Sequence, residues 1–261
     1  MSVELSRLLE GQLAVLKLNR PEVKNALGPA EWQQLSLHLR ELAADNRVRV
    51  VLLTGAEDAF CAGGDLRTMP ERLAWPVATR HAQLNRDSQV IAQLYELEHL
   101  VVAQITGPCL GAGLSLALAC DLRVATTTAS FGAVFHRVGL TGDFGLLWLL
   151  PRVVGPARAA QLLYEAEVFS GARAAELDIV HHLVAPEDLA ATTLRLCERL
   201  CKGAPLAQAM TKRGLRRSTE LDLDAMLEWE AHAQSILSKT DDAREGVSAF
   251  LQKRKPSFHG V

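Results

Sequence analysis

The chain has 261 residues, is 49% apolar and carries a formal charge of −2, enough for a large buried core in one big domain or in one with a small appendage. The balanced charge leaves no basic stripe and excludes nucleic acid as the main partner, and no apolar run reaches the ~18 residues that a membrane helix needs, so no membrane partner is expected. Five cysteines, Cys61, Cys109, Cys120, Cys197 and Cys201, are odd in number and lack metal-ligand spacing, which reads as reduced thiols in a cytoplasmic protein.

The opening stretch, MSVELSRLLEGQLAVLKL, is not read as a signal peptide, because Glu4, Glu10 and Gly11 interrupt its apolar residues. LAVLKLN, 13–19, is strand-like, and RPEVKNAL after it is a turn. GPAEWQQLSLHLRELAADN has the spacing of an amphipathic helix, with Pro29 at its start and Asp45-Asn46 at its end. VRVVLLTG, 48–55, is a continuous apolar run, as expected of a strand buried on both faces. The loop AEDAFCAGGDL follows, and a helical period returns from about 79 to 98. LVVAQITG, 100–107, is a second doubly buried strand; GAGLSLALACD then opens a short, very apolar helix, and LRVATTTASF is a third strand. Two more strand-loop-helix units are expected up to about 190, and helix from there to the end. Strands alternating with helices predict an α/β fold with parallel strands and crossover helices.

Two loops share one logic. FCAGGDL follows one buried strand, and GPCLGAGLSL follows the next. Glycine is costly inside regular structure, so its use here points to a close approach of backbone. Amides at a helix N-terminus are unpaired and sit at the positive end of the dipole, so two of them from adjacent loops can converge on one oxygen, as in an oxyanion hole. Tight turns with glycine for steric reasons alone explain the same residues. Phosphate cradling fits less well, because neither loop carries the Lys-Ser/Thr of a P-loop and GAGLSL is a poor dinucleotide fingerprint.

The pieces LNRPEVKNAL, LTGAEDAFCAGGDL, ITGPCLGAGLSLALACDLRVAT, VGLTGDFGLLWLLPRVVG and EGVSAFLQKRKPSF, in this order and spacing, resemble the crotonase (enoyl-CoA hydratase/isomerase) superfamily over nearly the whole chain. The resemblance implies a spiral of ββα units over 1–190, a helical region over 191–261 used for trimerisation, and a homotrimer or dimer of trimers. It implies an acyl-CoA thioester as substrate and no separate cofactor, coenzyme A being part of the substrate. By the same resemblance the thioester oxygen meets the amides of Gly64 and Ala112, and Lys24, Ala26 and Ala62 line the adenine end of coenzyme A. Gly63, Asp65, Leu66 and Gly111 are counted with the substrate-binding residues, although Asp65 taken alone reads as a loop brace. Lys253 and Lys255 match terminal lysines that touch nucleotide phosphates in the family, and a solvated basic tail accounts for them equally well.

Family hydratases add water with two glutamates, and those positions hold Ser115 and Phe135 in this chain. Neither a hydroxyl nor a phenyl ring is a general base at neutral pH without help. Asp143, in GLTGDFGLLWLLPR, is the carboxylate left nearby. Taken alone it reads as a helix N-cap. The segment from Phe131 to Arg152, with Phe135, Asp143 and Trp148, is similar to the isomerases of aerobic phenylacetate degradation and their relatives, in which the aspartate is the lone catalytic carboxylate. That resemblance implies an acyl-CoA isomerase with Asp143 among Phe135, Leu140, Phe144 and Trp148, its pKa raised by apolar surroundings, and with Ser115 as a further contact to the acyl group. Three alternatives stay open: a residual hydratase, a non-catalytic acyl-CoA binder, and a dehalogenase with Asp143 as nucleophile. The last needs a histidine where Ser88 stands, and the nearest is His81. His136, His181 and His182 are read as structural.

Overall fold

The computed structural model describes residues 2–261. In chain order the elements are β1 (Val3–Leu8), β2 (Leu13–Leu18), α1 (Pro29–Ala43), β3 (Val50–Gly55), α2 (Met69–Leu73), α3 (Val77–Glu96), β4 (Leu100–Ile105), β5 (Pro108–Leu110), α4 (Ala112–Ala119), β6 (Leu122–Thr126), β7 (Ser130–Gly132), α5 (Leu146–Val154), α6 (Pro156–Glu165), β8 (Val168–Ser170), α7 (Gly171–Glu176), β9 (His182–Val184), α8 (Leu189–Cys201), α9 (Pro205–Arg217), α10 (Leu223–Leu237) and α11 (Asp241–Leu251). Six strands form one sheet in the order β1-β2-β3-β4-β6-β9, and three form a second in the order β5-β7-β8.

Successive turns of the chain visit both sheets. β3, β4 and β6 lie side by side and parallel in the large sheet. The segments that follow them, Cys61, β5 and β7, lie side by side in the same order, Cys61 bridging Cys109 and β5 pairing β7 in parallel. A helix or loop crosses between turns, which makes a spiral of strand-strand-helix units with a helical C-terminal region.

Alternation along the strands divides the core. Val50, Leu52 and Val102 face one side of the large sheet, where α8 brings Leu189, Leu196 and Cys197. Val51, Leu53, Val101 and Ala103 face the other, against Trp32, Leu35 and Leu39 of α1, Val90 and Leu94 of α3, and α4. A strand buried on both faces reads as an unbroken apolar run for this reason. The boundary near 190 expected from the sequence cuts α8, whose apolar face is part of the core. α9 is tied on by Lys212, whose ammonium donates to Asp121 at 2.6 Å and to the His99 carbonyl at 2.7 Å.

The sequence reading assigns no strand at β1 and merges two strands into one. β1 is an edge strand paired antiparallel with β2, Leu5 opposite Leu16; its mixed burial, with Glu4 and Ser6 between apolar residues, gives it a weak apolar signal. The run LRVATTTASF is two strands, β6 and β7, separated at 127–129 and placed in different sheets. All five cysteines are free and buried. No helix among the described residues is long and apolar enough to cross a membrane.

Candidate active site

The first glycine loop is strapped on both sides. Cys61 N–H donates to the Pro108 carbonyl at 2.9 Å and its carbonyl accepts from Leu110 at 3.0 Å; Leu27 donates to the Gly63 carbonyl at 2.8 Å and accepts from Asp65 at 3.0 Å. Gly63 has φ +101°, and a Cβ there would lie 2.9 Å from the Leu110 oxygen and 3.5 Å from the Ala112 nitrogen. On the other loop, a Cβ at Gly113 would lie 2.3 Å from the Cys61 oxygen. The glycines are therefore required because the two backbones pack directly on each other.

That packing presents two amides to one space. Neither Gly64 N–H nor Ala112 N–H is used in a turn, cap or loop hydrogen bond. Ala112 is the first residue of α4, where the amide has no intrahelical acceptor. A Cβ at Gly64 would meet nothing within 4 Å. Both residues line a cavity of about 100 Å³, together with Leu27, Trp32, Ala62, Gly63, Leu66, Met69, Arg72, Arg80, Gly111, Val134, Phe135, Val138, Leu140, Asp143 and Phe144.

Asp143 sits in the loop before α5. Phe144 and Gly145 take left-handed φ values of 49° and 76°. The Phe144 ring stacks on Trp32 with centroids 4.3 Å apart. The N-cap position of α5 is Gly145, with no side-chain cap bond, so the Asp143 carboxyl does not cap that helix. Its backbone carbonyl does the local work, accepting from Leu146 N–H at 3.0 Å and from Ser115 Oγ at 3.2 Å. Ser115 lies three residues after Ala112 on α4, so the same short helix supplies the amide and holds the Asp143 backbone.

The carboxyl is left to the cavity. Oδ1 of Asp143 is buried and has no hydrogen-bond partner. Burial pushes its pKa up to about 6, opposed by the positive charges of Arg80 and Arg72. Together the unpaired amides and this carboxylate make a donor pair and a base facing one small cavity, suited to forming and reprotonating an enolate.

The other sequence-derived residues are placed as follows. Ser115 is fully buried and spent on the Asp143 carbonyl rather than on the cavity. Phe135 packs over Gly111, 3.7 Å from where its Cβ would be. Asp65 is bound by Arg20 at 3.0 Å and Arg67 at 2.8 Å, which hold its carboxyl well below the usual range; it braces the glycine loop and lies outside the cavity lining. Lys24 is exposed, its carbonyl accepting from Ala62 N–H at 2.9 Å, and Ala26 is buried beside it. Trp148 is not with Asp143. α5 buries Leu146, Leu149 and Leu150, which leaves Trp148 on its outer face against Tyr95 and under Arg152. That face borders a larger groove of about 770 Å³ between α3, α5 and α9, which contains neither glycine-loop amide. Arg72 and Arg80 had no place in the sequence reading. Their only signal in the sequence is their charge.

Comparison with known proteins extends over the same chain. Residues 9–261 match the family model described as enoyl-CoA hydratase/isomerase. The chain is 34% identical to a crotonyl-CoA hydratase of Syntrophomonas wolfei, covering 95% of each. It is 34% identical to the 1,2-epoxyphenylacetyl-CoA isomerase of Escherichia coli, covering 100% of this chain and 99% of that one. The crystal structure of an enoyl-CoA hydratase from Bacillus anthracis superposes with a TM-score of 0.94 at 29% identity, over all of both chains. With two glycine loops packed backbone to backbone and a spiral core shared over its full length, the chain belongs to the enoyl-CoA hydratase/isomerase family.

Proposed function

We propose that this enzyme isomerises an acyl-CoA thioester, with Asp143 as its single acid/base. The observation that carries the reading is the Asp143 carboxyl, buried, without a partner and facing the cavity that the Gly64 and Ala112 amides also face, while Ser115 and Phe135 supply no carboxylate. In this scheme the thioester oxygen accepts from the two amides, which makes the neighbouring carbon acidic. Asp143 takes a proton from that carbon, the electron pair moves onto the oxygen as an enolate, and the protonated carboxyl, its proton exchanging with solvent, delivers one proton to a carbon farther along the chain as the double bond shifts. Atoms and charge balance with no water added and no redox partner. The adenine end of coenzyme A is assigned to Lys24, Ala26 and Ala62, and the enzyme to a reducing, cytoplasmic setting in which its thiols stay free. A ring-derived acyl group rearranged through the same enolate fits the likeness to the phenylacetyl-type isomerase.

Hydration is the second reading, favoured by the likeness to a crotonyl-CoA hydratase. Incubating the enzyme in heavy water with a β,γ-enoyl-CoA and, separately, with its α,β-isomer separates the two. Deuterium entering the acyl chain with migration of the double bond supports isomerisation. A 3-hydroxyacyl-CoA formed from the α,β-enoyl-CoA, with no reaction of the β,γ-isomer, overturns it in favour of hydration, and bound thioester with neither exchange nor water addition marks a binder.

A further inference from the structure

The wall of the cavity built by α2 and α3 is not apolar. Arg72 is 5% exposed, and its Nε is buried without a hydrogen-bond partner. Arg80 lines the same cavity, and one of its terminal nitrogens is likewise buried and unpartnered. One contact is made by Arg72, from a terminal nitrogen to Thr68 Oγ1 at 3.3 Å. Elsewhere buried and part-buried arginines have their donors met: Arg20 binds Glu31 and Asp65, Arg216 binds Asp121, and Arg123 donates to the Ile179, Ala117 and Cys120 carbonyls. A desolvated guanidinium with idle N–H groups is costly unless something completes it.

Two carboxylates stand near. Asp87 on α3 takes a hydrogen bond from Gln83 at 2.7 Å, and its other oxygen is buried and unpartnered. Asp143 is the proposed base and must stay uncommitted. Neither reaches a hydrogen bond to the two arginines. Their charges nevertheless act on Asp143 and Asp87; Arg72, Arg80 and Asp143 line the cavity, and Asp87 stands behind them outside its lining.

We infer that Arg72 and Arg80 recognise a carboxylate at the far end of the acyl group, so that the substrate class is the CoA monothioester of a dicarboxylic acid. The planar guanidinium fork suits a carboxylate, and a charge-assisted bond out of water is stronger than a neutral one. The inference rests on the acyl-CoA reading of the site and not on which reaction occurs there.

Binding of saturated thioesters, which cannot isomerise or hydrate, tests it without turnover. By calorimetry, glutaryl-CoA and adipyl-CoA should bind about 10- to 100-fold more tightly than pentanoyl-CoA and hexanoyl-CoA, and more tightly than the matching ω-amides. The ratio should collapse to about twofold in Arg72→Met and fall in Arg80→Gln; the second, less buried position keeps the test open if the first variant does not fold. Equal affinity of the wild type for acid- and methyl-ended thioesters overturns the inference, as does an ω-amide that binds like the acid. No binding of any thioester overturns the acyl-CoA reading and this inference together. Discrimination by end group without deuterium exchange in the enoyl series leaves the inference standing and removes isomerisation alone.

Discussion

Asp143 draws its chemistry from where its backbone is held. Two hydrogen bonds fix its carbonyl, and two left-handed residues after it turn the chain into α5, so the side chain is directed into the cavity. As a base it must be ionised, so kcat/KM should decline as pH falls through about 6. Stability runs the other way. The folded-state pKa lies above the ordinary 3.8, so the contribution is complete below about 3.8 and is lost as pH rises through about 6. At neutral pH the ionised carboxylate therefore works against folding. Asp143→Asn should slow proton exchange by about 10²- to 10⁴-fold, bind thioester nearly as before and unfold with about 1–3 kcal/mol more stability at pH 7. Unchanged turnover in that variant eliminates Asp143 as the base. Gly64 offers the complementary test. Its Cβ position is open space, so Gly64→Ala should fold normally yet place a methyl group beside the amide, lowering kcat by about 10²- to 10³-fold. A Gly64→Ala enzyme of full activity argues against an oxyanion hole at this loop.

At the scale of elements, α4 is the organising piece. It is buried along its whole length, places the Ala112 amide at its start and holds the Asp143 carbonyl through Ser115. Its seat against the first glycine loop depends on Gly113, where a Cβ would collide with the Cys61 carbonyl at 2.3 Å. Backbone cannot yield there as a flexible side chain could, so Gly113→Ala should cost about 1–3 kcal/mol and lower the melting temperature, in contrast to Gly64→Ala. Equal melting temperatures for the two variants contradict the packing described. Gly113 and Gly64 look alike in sequence, both in glycine-rich loops after a buried strand. Only the neighbouring loop, some fifty residues away in sequence, separates the steric glycine from the one facing the cavity. The same limit applies to Trp148: it lies five residues after Asp143, but the phase of α5 turns it to the outer groove.

For the molecule as a whole, the spiral core is closed and the C-terminal layer is not. Leu223 and Leu227 on α10 and Val247, Phe250 and Leu251 on α11 are strongly exposed, Phe250 at 83%. This is the surface we assign to the homotrimer, or pair of trimers, expected of the chain. Light scattering should give a mass three or six times that of the 28.4 kDa chain, and Phe250→Asp should shift it toward the monomer. A monomer at micromolar concentration in the unaltered protein rules the assignment out.

The parallel strands and the two glycine loops were legible in the amino-acid sequence, and its likeness to a family drew attention to Asp143. The first two are written in local order, an unbroken apolar run with glycines after it; Asp143 is singled out by the resemblance to the family, whose two glutamates are replaced by Ser115 and Phe135. Tertiary structure alone decided what each group faces. It spent Ser115 on a backbone carbonyl, locked Asp65 between Arg20 and Arg67, sent Trp148 to another groove, and brought Arg72 and Arg80 into the cavity. Burial and charge pairing depend on neighbours distant along the chain, so no local pattern encodes them.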